Sequence, residues 1–91
     1  MKTLAVQWVR DGGIQWEGWW LKRYGHQRTR VPGEAEHISF ANFDLRHNGL
    51  PTLREDSEGR LFVDVTPATE ANVLHLLQYH GFDAREVGPW V

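Results

Sequence analysis

The sequence predicts a small α+β domain, with a mostly antiparallel sheet of about five strands and one α-helix packed on one face. Three observations lead to this expectation. Apolar residues alternate with others near the N-terminus, a second alternating run follows a turn signal at 56–59, and the segment 67–80 carries helix start and stop signals. The 91 residues are expected to form a single domain, 1–91.

The first predicted element is a β-hairpin with strands 3–10 and 14–24. Its apolar residues follow a period of two, which places one face of each strand on a core: Leu4, Val6 and Trp8, then Ile14, Trp16 and Trp20. A three-residue turn with Gly13 in a left-handed conformation would place Trp8 opposite Trp16, Val6 opposite Gly18 and Leu4 opposite Trp20. A two-residue turn would put the two apolar sets on opposite sides of the ribbon, so the longer turn is preferred.

The middle of the chain is predicted to add a strand and a second hairpin. Ile38 and Phe40 alternate within 34–43, which favours a strand there, and 44–49 is expected to be a loop. The hairpin 50–55/60–66 would turn with Gly59 in a left-handed position. Its second strand has three apolar residues on one face and Phe62 on the other, which indicates a strand covered on both sides near its start.

The segment 67–80 is the predicted helix. Thr66 can cap it and Pro67 suits its first position, while Gly81 can adopt the left-handed conformation that ends it, with Phe82 folding back on the last turn. A short strand at 84–87 would follow. The strand-helix-strand order predicts a crossover that sets this last strand parallel to 60–66.

Composition excludes several classes of protein. The chain has no cysteine, which excludes disulfides and thiolate metal sites, and it has no apolar run long enough to span a membrane. A formal charge of −2 argues against coating nucleic acid through bulk electrostatics. The expected location is the cytoplasm.

The five histidines do not predict a metal site. His75 and His80 are five residues apart, so they would lie on different sides of the helix. The C-terminal end of the helix explains His80 more simply, because a cation is favoured there. We therefore expect no metal and no cofactor.

The best candidate binding segment is the Trp- and Arg-rich stretch 16–30. Strand parity makes Trp19 the tryptophan that faces away from the core, and cations follow it closely. Such a surface suits either a protein partner, since Trp and Arg are enriched in interface hot spots, or single-stranded nucleic acid, which stacks on aromatic side chains along a positive groove. The candidate residues are Trp19, Leu21, Arg23, Tyr24, His26, Arg28 and Arg30. The alternative is purely structural, with the indoles forming the core of a small sheet and the cations its solvated rim.

No catalytic set is found. Asp64 lies in an apolar strand just before a helix, where α/β enzymes often place a carboxylate, but the second carboxylate and lysine of a nuclease-like cluster are missing, and Asp64 is expected to face solvent. There is no phosphate-binding glycine pattern and no serine elbow. An enzyme is therefore not expected.

These observations predict a non-catalytic binding protein. The expected function is that of a small regulator or inhibitor that acts through a protein partner, in the style of phage accessory proteins. The alternative is a module that binds single-stranded nucleic acid or nucleotides through 16–30. Homo-oligomerisation is compatible with both.

Overall fold

The computed structural model describes residues 1–8, 33–57 and 59–86. Within these ranges the chain forms, in order, β1 (Lys2–Trp8), α1 (Glu34–His47), β2 (Arg54–Glu55), β3 (Leu61–Val65), α2 (Glu70–Tyr79) and β4 (Phe82–Glu86). The predicted α+β class is confirmed. The described residues contain four strands and two helices, where about five strands and one helix were predicted.

The four strands form one sheet in the order β2-β3-β1-β4, and every neighbouring pair is antiparallel. β3 and β4 run parallel to each other with β1 between them, because both are antiparallel to β1. The predicted direction of the last strand is therefore correct, although it does not lie beside β3. This β-α-β-β-α-β order is the ferredoxin-like arrangement, which hosts many unrelated functions.

The first strand of the predicted N-terminal hairpin is present as β1. Its partner, 14–24, lies outside the described residues. Leu4 is paired with Val63 on one side and with Glu86 on the other, and Val6 is likewise flanked by β3 and β4. These pairings leave no free edge of β1 at Leu4 and Val6 for the predicted partner strand.

The second predicted hairpin is confirmed. β2 pairs with β3, with Arg54 opposite Phe62, although β2 is only two residues long. The turn is held by Asp56, which accepts a hydrogen bond from the Arg60 backbone N–H at 2.9 Å and an ion pair from Arg60 Nε at 2.6 Å. Gly59 has a φ of +82°, as the turn prediction required.

The predicted strand at 34–43 is wrong, because 34–47 is the helix α1. The side chains of Ala41 and Leu45 are buried and four residues apart, which is helical spacing. The helix ends in a Schellman motif at Asn48 and Gly49, residues that were predicted to lie in a loop. The Leu50 N–H donates to the Leu45 carbonyl at 2.8 Å, and Gly49 has a φ of +70°.

The predicted helix at 67–80 is confirmed as α2. Its first regular residue is Glu70, but the Glu70 N–H already donates to the Thr66 carbonyl at 2.9 Å, so the turn begins near the predicted cap. Gly81 follows with a φ of +86°. The strand predicted at 84–87 begins earlier, at Phe82.

Both helices cover the same face of the sheet. The core between them takes alternate residues from the strands and one side of each helix: Leu4, Val6, Trp8, Leu61, Val63, Val65, Phe82, Ala41, Leu45, Val73 and Leu77. Leu53 completes this core. The predicted apolar face of β3 is thereby confirmed.

The second face of the sheet also holds buried residues. Ala5 and Phe62 lie opposite each other on it, and Gln7 is only 2% exposed. Within the part of the chain that the structure describes, Gln7 Oε1 has no hydrogen-bond partner. Phe62 on this face confirms that β3 is covered on both sides near its start.

Candidate functional site

All seven residues predicted for binding lie outside the described residues. They are Trp19, Leu21, Arg23, Tyr24, His26, Arg28 and Arg30. Their role stays a prediction. The site described below is formed by other residues, on the two helices.

Three large aromatic side chains are exposed on the helices. The exposed fraction is 56% for Phe40 and 62% for Phe43, both on α1, and 78% for Tyr79 near the end of α2. A single exposed apolar side chain is common, but neighbouring ones on a folded surface mark contact sites. We call Phe40, Phe43 and Tyr79, together with the cleft described next, the aromatic surface.

A shallow cleft of about 450 Å³ lies between the start of α1 and the end of α2. It is lined by His37, Phe40, Gln78, Tyr79, His80 and Gly81. Residues from two helices therefore meet in one concave site, although they are about 40 positions apart in the chain. Phe40 and Tyr79 belong to both the cleft and the exposed aromatic set.

Aromatic contacts hold the walls of the cleft in place. The His37 ring lies 4.8 Å from the buried Trp8 ring and 5.9 Å from the Phe40 ring, the latter edge to face. Outside the cleft, Phe43 stacks on His47 one turn later, with ring centroids 5.7 Å apart and planes 10° from parallel. These contacts order the exposed rings in the free protein, which lowers the entropy lost when a partner binds.

His37 is fixed by its own helix. Its Nδ1 lies 2.9 Å from the Gly33 carbonyl oxygen, which can only accept, so Nδ1 carries the proton. In the neutral ring this leaves Nε2 as a hydrogen-bond acceptor. Gly33 has a φ of +88°, and a Cβ there would lie 3.4 Å from Trp8 Cη2, so glycine suits this close approach of α1 to the indole.

A hydrogen bond joins the two helices at the cleft. His80 Nε2 lies 2.6 Å from Asp44 Oδ2, so the imidazole N–H donates to the carboxylate. The Tyr79 ring packs edge to face against the same imidazole, with centroids 5.1 Å apart. Asp44 therefore fixes the end of α2, and with it the position of Tyr79. His80 was predicted to be explained by the helix end, and it does lie at the C-cap of α2.

The chemistry of the cleft is that of recognition. Its lining offers aromatic faces, two imidazoles, an amide and a phenol, but among these lining residues there is no serine, cysteine or lysine nucleophile. In the described ranges no group of three or more His, Asp or Glu side chains is arranged to hold a metal ion. The aromatic surface also has no arginine or lysine in its cleft lining to contact phosphates.

Asp64 belongs to a separate polar cluster on the second face of the sheet. Arg54 Nε donates to Asp64 Oδ2 at 3.0 Å, and Thr3 Oγ1 donates to Asp64 Oδ1 at 2.6 Å. The Arg54 guanidinium, and then the Thr3 hydroxyl, hold the pKa of Asp64 below its usual range. Asp64 lies on the predicted face but is half-buried and tied to two strands, so it has a structural role.

The sequence analysis missed Phe40 and Phe43 because it assigned 34–43 to a strand. The signal was present in the C-terminal Asn48-Gly49 pair and in the helical spacing of Ala41 and Leu45. Once 34–47 is read as a helix, Phe40 and Phe43 fall outside its buried side. Tyr79 lay on a correctly predicted helix, and its exposure depends only on the helix face that it occupies.

Neither helix in the described ranges has the length and apolar character that crossing a membrane requires. No protein-family model, curated protein or solved structure matches this chain.

Proposed function

We propose that this protein is a non-catalytic binding protein, a small cytoplasmic regulator or inhibitor that binds a protein partner through the aromatic surface. The observation that carries the proposal is the exposure of Phe40, Phe43 and Tyr79 around one cleft formed by two helices. Aromatic residues near the centre of an interface supply much of its binding energy when they enter a pocket or receive a partner's side chain.

The chemistry of this surface favours a protein over a nucleic acid as the partner. Nucleic-acid binding depends on cations that neutralise phosphates, and the cleft lining has none. An apolar side chain of a partner would instead fill the cleft between Phe40 and Tyr79. The His37 Nε2 acceptor and the Gln78 amide can fix its orientation through hydrogen bonds.

The rigidity of the surface supports the same reading. The Asp44–His80 hydrogen bond fixes the two helices at the cleft, and the Phe43–His47 stack orders the outermost ring. A preformed site binds with less loss of conformational freedom than a flexible one. Nucleic-acid binding through 16–30 stays a separate prediction, which concerns residues outside the described ranges.

The test compares three forms of the protein in an extract of its native host. Wild type, the double variant F43A/Y79A and the control E86A are tagged, and each captured protein is quantified by mass spectrometry. Glu86 is an exposed residue at the far end of β4, away from the cleft. Circular dichroism and urea unfolding show whether each variant is folded.

A partner captured by wild type and E86A is then purified and titrated calorimetrically. We expect F43A/Y79A to weaken its binding by roughly 30-fold or more, as the loss of an aromatic hot spot of about 2 kcal/mol does. Equal affinity of the folded double variant and of wild type would contradict the proposal.

A further inference from the structure

β4 is an outermost strand of the described sheet. Within the described residues it pairs with β1 on one side and with no strand on the other. It is five residues long, with the sequence Phe-Asp-Ala-Arg-Glu. An exposed strand edge carries backbone groups that can pair with a strand of another chain.

The direction of the Ala84 peptide group shows which residues form this edge. The Ala84 N–H donates to the carboxylate of Asp83, 2.9 Å away, although Ala84 lies opposite Val6 in the ladder with β1. Its N–H therefore points away from β1. Alternate residues of an antiparallel strand direct their backbone groups to the same side, so Phe82 and Glu86 share this direction. The Asp83 carboxylate occupies the position where a carbonyl of an added strand would accept.

An apolar groove runs along the same edge. It has a volume of about 250 Å³ and is lined by Leu74, Leu77 and Gln78 of α2 and by Phe82, Asp83 and Ala84 of β4. Leu74 and Ala84 are only partly buried, although both pack against the core. A strand added beside β4 would place its apolar side chains in this groove, under α2.

The sequence of β4 is complementary to itself. Asp83 and Arg85 lie on the second face of the sheet, on either side of Ala84. Within one chain they form a long ion pair, with Arg85 Nε 3.9 Å from Asp83 Oδ2. If two copies of β4 pair antiparallel about Ala84, each Asp83 lies directly opposite the Arg85 of the other copy. These would be non-hydrogen-bonded positions, where side chains approach most closely.

We propose that β4 pairs with β4 of a second copy of this chain, about a two-fold axis at Ala84. The two four-stranded sheets then join into one continuous sheet. The Ala84 N–H exchanges the Asp83 carboxylate for a backbone carbonyl of the second copy, and the freed carboxylate meets Arg85 across the axis. The interface uses the same residues on both copies, as a two-fold interface requires.

Charge exchange tests this geometry. Association is measured by sedimentation velocity at low salt for wild type, D83R, R85D, a 1:1 mixture of the two single variants, and the double variant D83R/R85D. Wild type is expected to dimerise. Each single variant places like charges opposite each other at both symmetric positions, so its dimer dissociation constant should rise by about tenfold or more.

The mixture of D83R and R85D should recover dimers, because every opposing pair is again of opposite charge, and D83R/R85D should recover them alone. A84P is a second probe, since proline is tolerated on an edge strand whose N–H points outward but cannot donate to a second copy. It should be folded and monomeric. The proposal is overturned if wild type stays monomeric at roughly millimolar concentration, or if folded D83R, R85D and A84P dimerise as tightly as wild type.

Discussion

The ion pair between Asp64 and Arg54 provides a direct test of how the second face of the sheet is stabilised. Asp64 accepts hydrogen bonds from Arg54 on β2 and Thr3 on β1, so it links three strands. The substitution D64N keeps the shape of the side chain and removes its charge. A charge-assisted hydrogen bond contributes about 1.5 to 3 kcal/mol. Asp64 is 31% exposed and Arg54 is 51% exposed, so solvent screening reduces the expected loss to about 1 kcal/mol.

The pH dependence of this loss has a definite sign. The pKa of Asp64 is lower in the folded protein than its usual value, because Arg54 and Thr3 stabilise the carboxylate. A group of this kind stabilises the fold above its unfolded pKa, which is about 3.9, and this stabilisation disappears as the pH falls through the folded pKa. Wild type should therefore exceed D64N in stability at pH 7, and the difference should shrink below about pH 4.

Urea unfolding at pH 7, 5 and 3 measures both effects. The variants R54A and R54A/D64N complete a double-mutant cycle, which separates the ion pair from the contact of the Arg54 guanidinium with the Phe62 ring, 5.2 Å away. The reasoning is refuted if D64N is as stable as wild type at pH 7, or if its loss is the same at pH 3 as at pH 7.

Three further predictions concern stability and use the same assay. L45A should lose about 2 to 5 kcal/mol because Leu45 is fully buried, whereas F43A, on the exposed side of the same helix, should change stability by less than about 0.5 kcal/mol; similar losses would contradict the assigned helix faces. G49A should lose about 1 kcal/mol through its φ of +70° alone, since a Cβ there meets nothing within 4 Å, and an unchanged midpoint would argue against the Schellman motif. Q7M should gain about 1 kcal/mol by removing the buried amide oxygen, and a loss of similar size would show that the amide is bonded.

The sequence predicted those parts of the fold whose local signals agree with their tertiary environment. β3 has alternating apolar residues and a glycine turn before it, and α2 has Pro67 and Gly81 at its ends. Each lies in the structure close to where it was predicted. Both signals are local, so they did not depend on knowing the neighbouring strands.

α1 could not be read in the same way, because its apolar residues lie on two sides. Ala41 and Leu45 face the core, but Phe40 and Phe43 face solvent. The exposed rings therefore disrupted the helical period and made Ile38 and Phe40 resemble alternating strand residues. The same side chains that form the aromatic surface caused the wrong assignment, as is expected where function departs from simple patterning.

The pairing of strands was beyond local signals altogether. The N-terminal alternation correctly marked β1 as a strand, but its neighbours are β3 and β4, which come far later in the chain. Nothing in the spacing of Leu4 and Val6 identifies those partners. The candidate binding residues at 19–30 lie outside the described ranges, so that prediction stands as it was made.

The central position of β1 has a consequence for folding kinetics. Leu4 must meet Glu86, so the earliest strand of this domain stays incomplete until the latest one has been synthesised. Long-range pairings of this kind slow folding, because the entropy of closing a large loop is lost before the contacts form. During translation, β1 therefore remains without its β4 partner while both helices are already able to form.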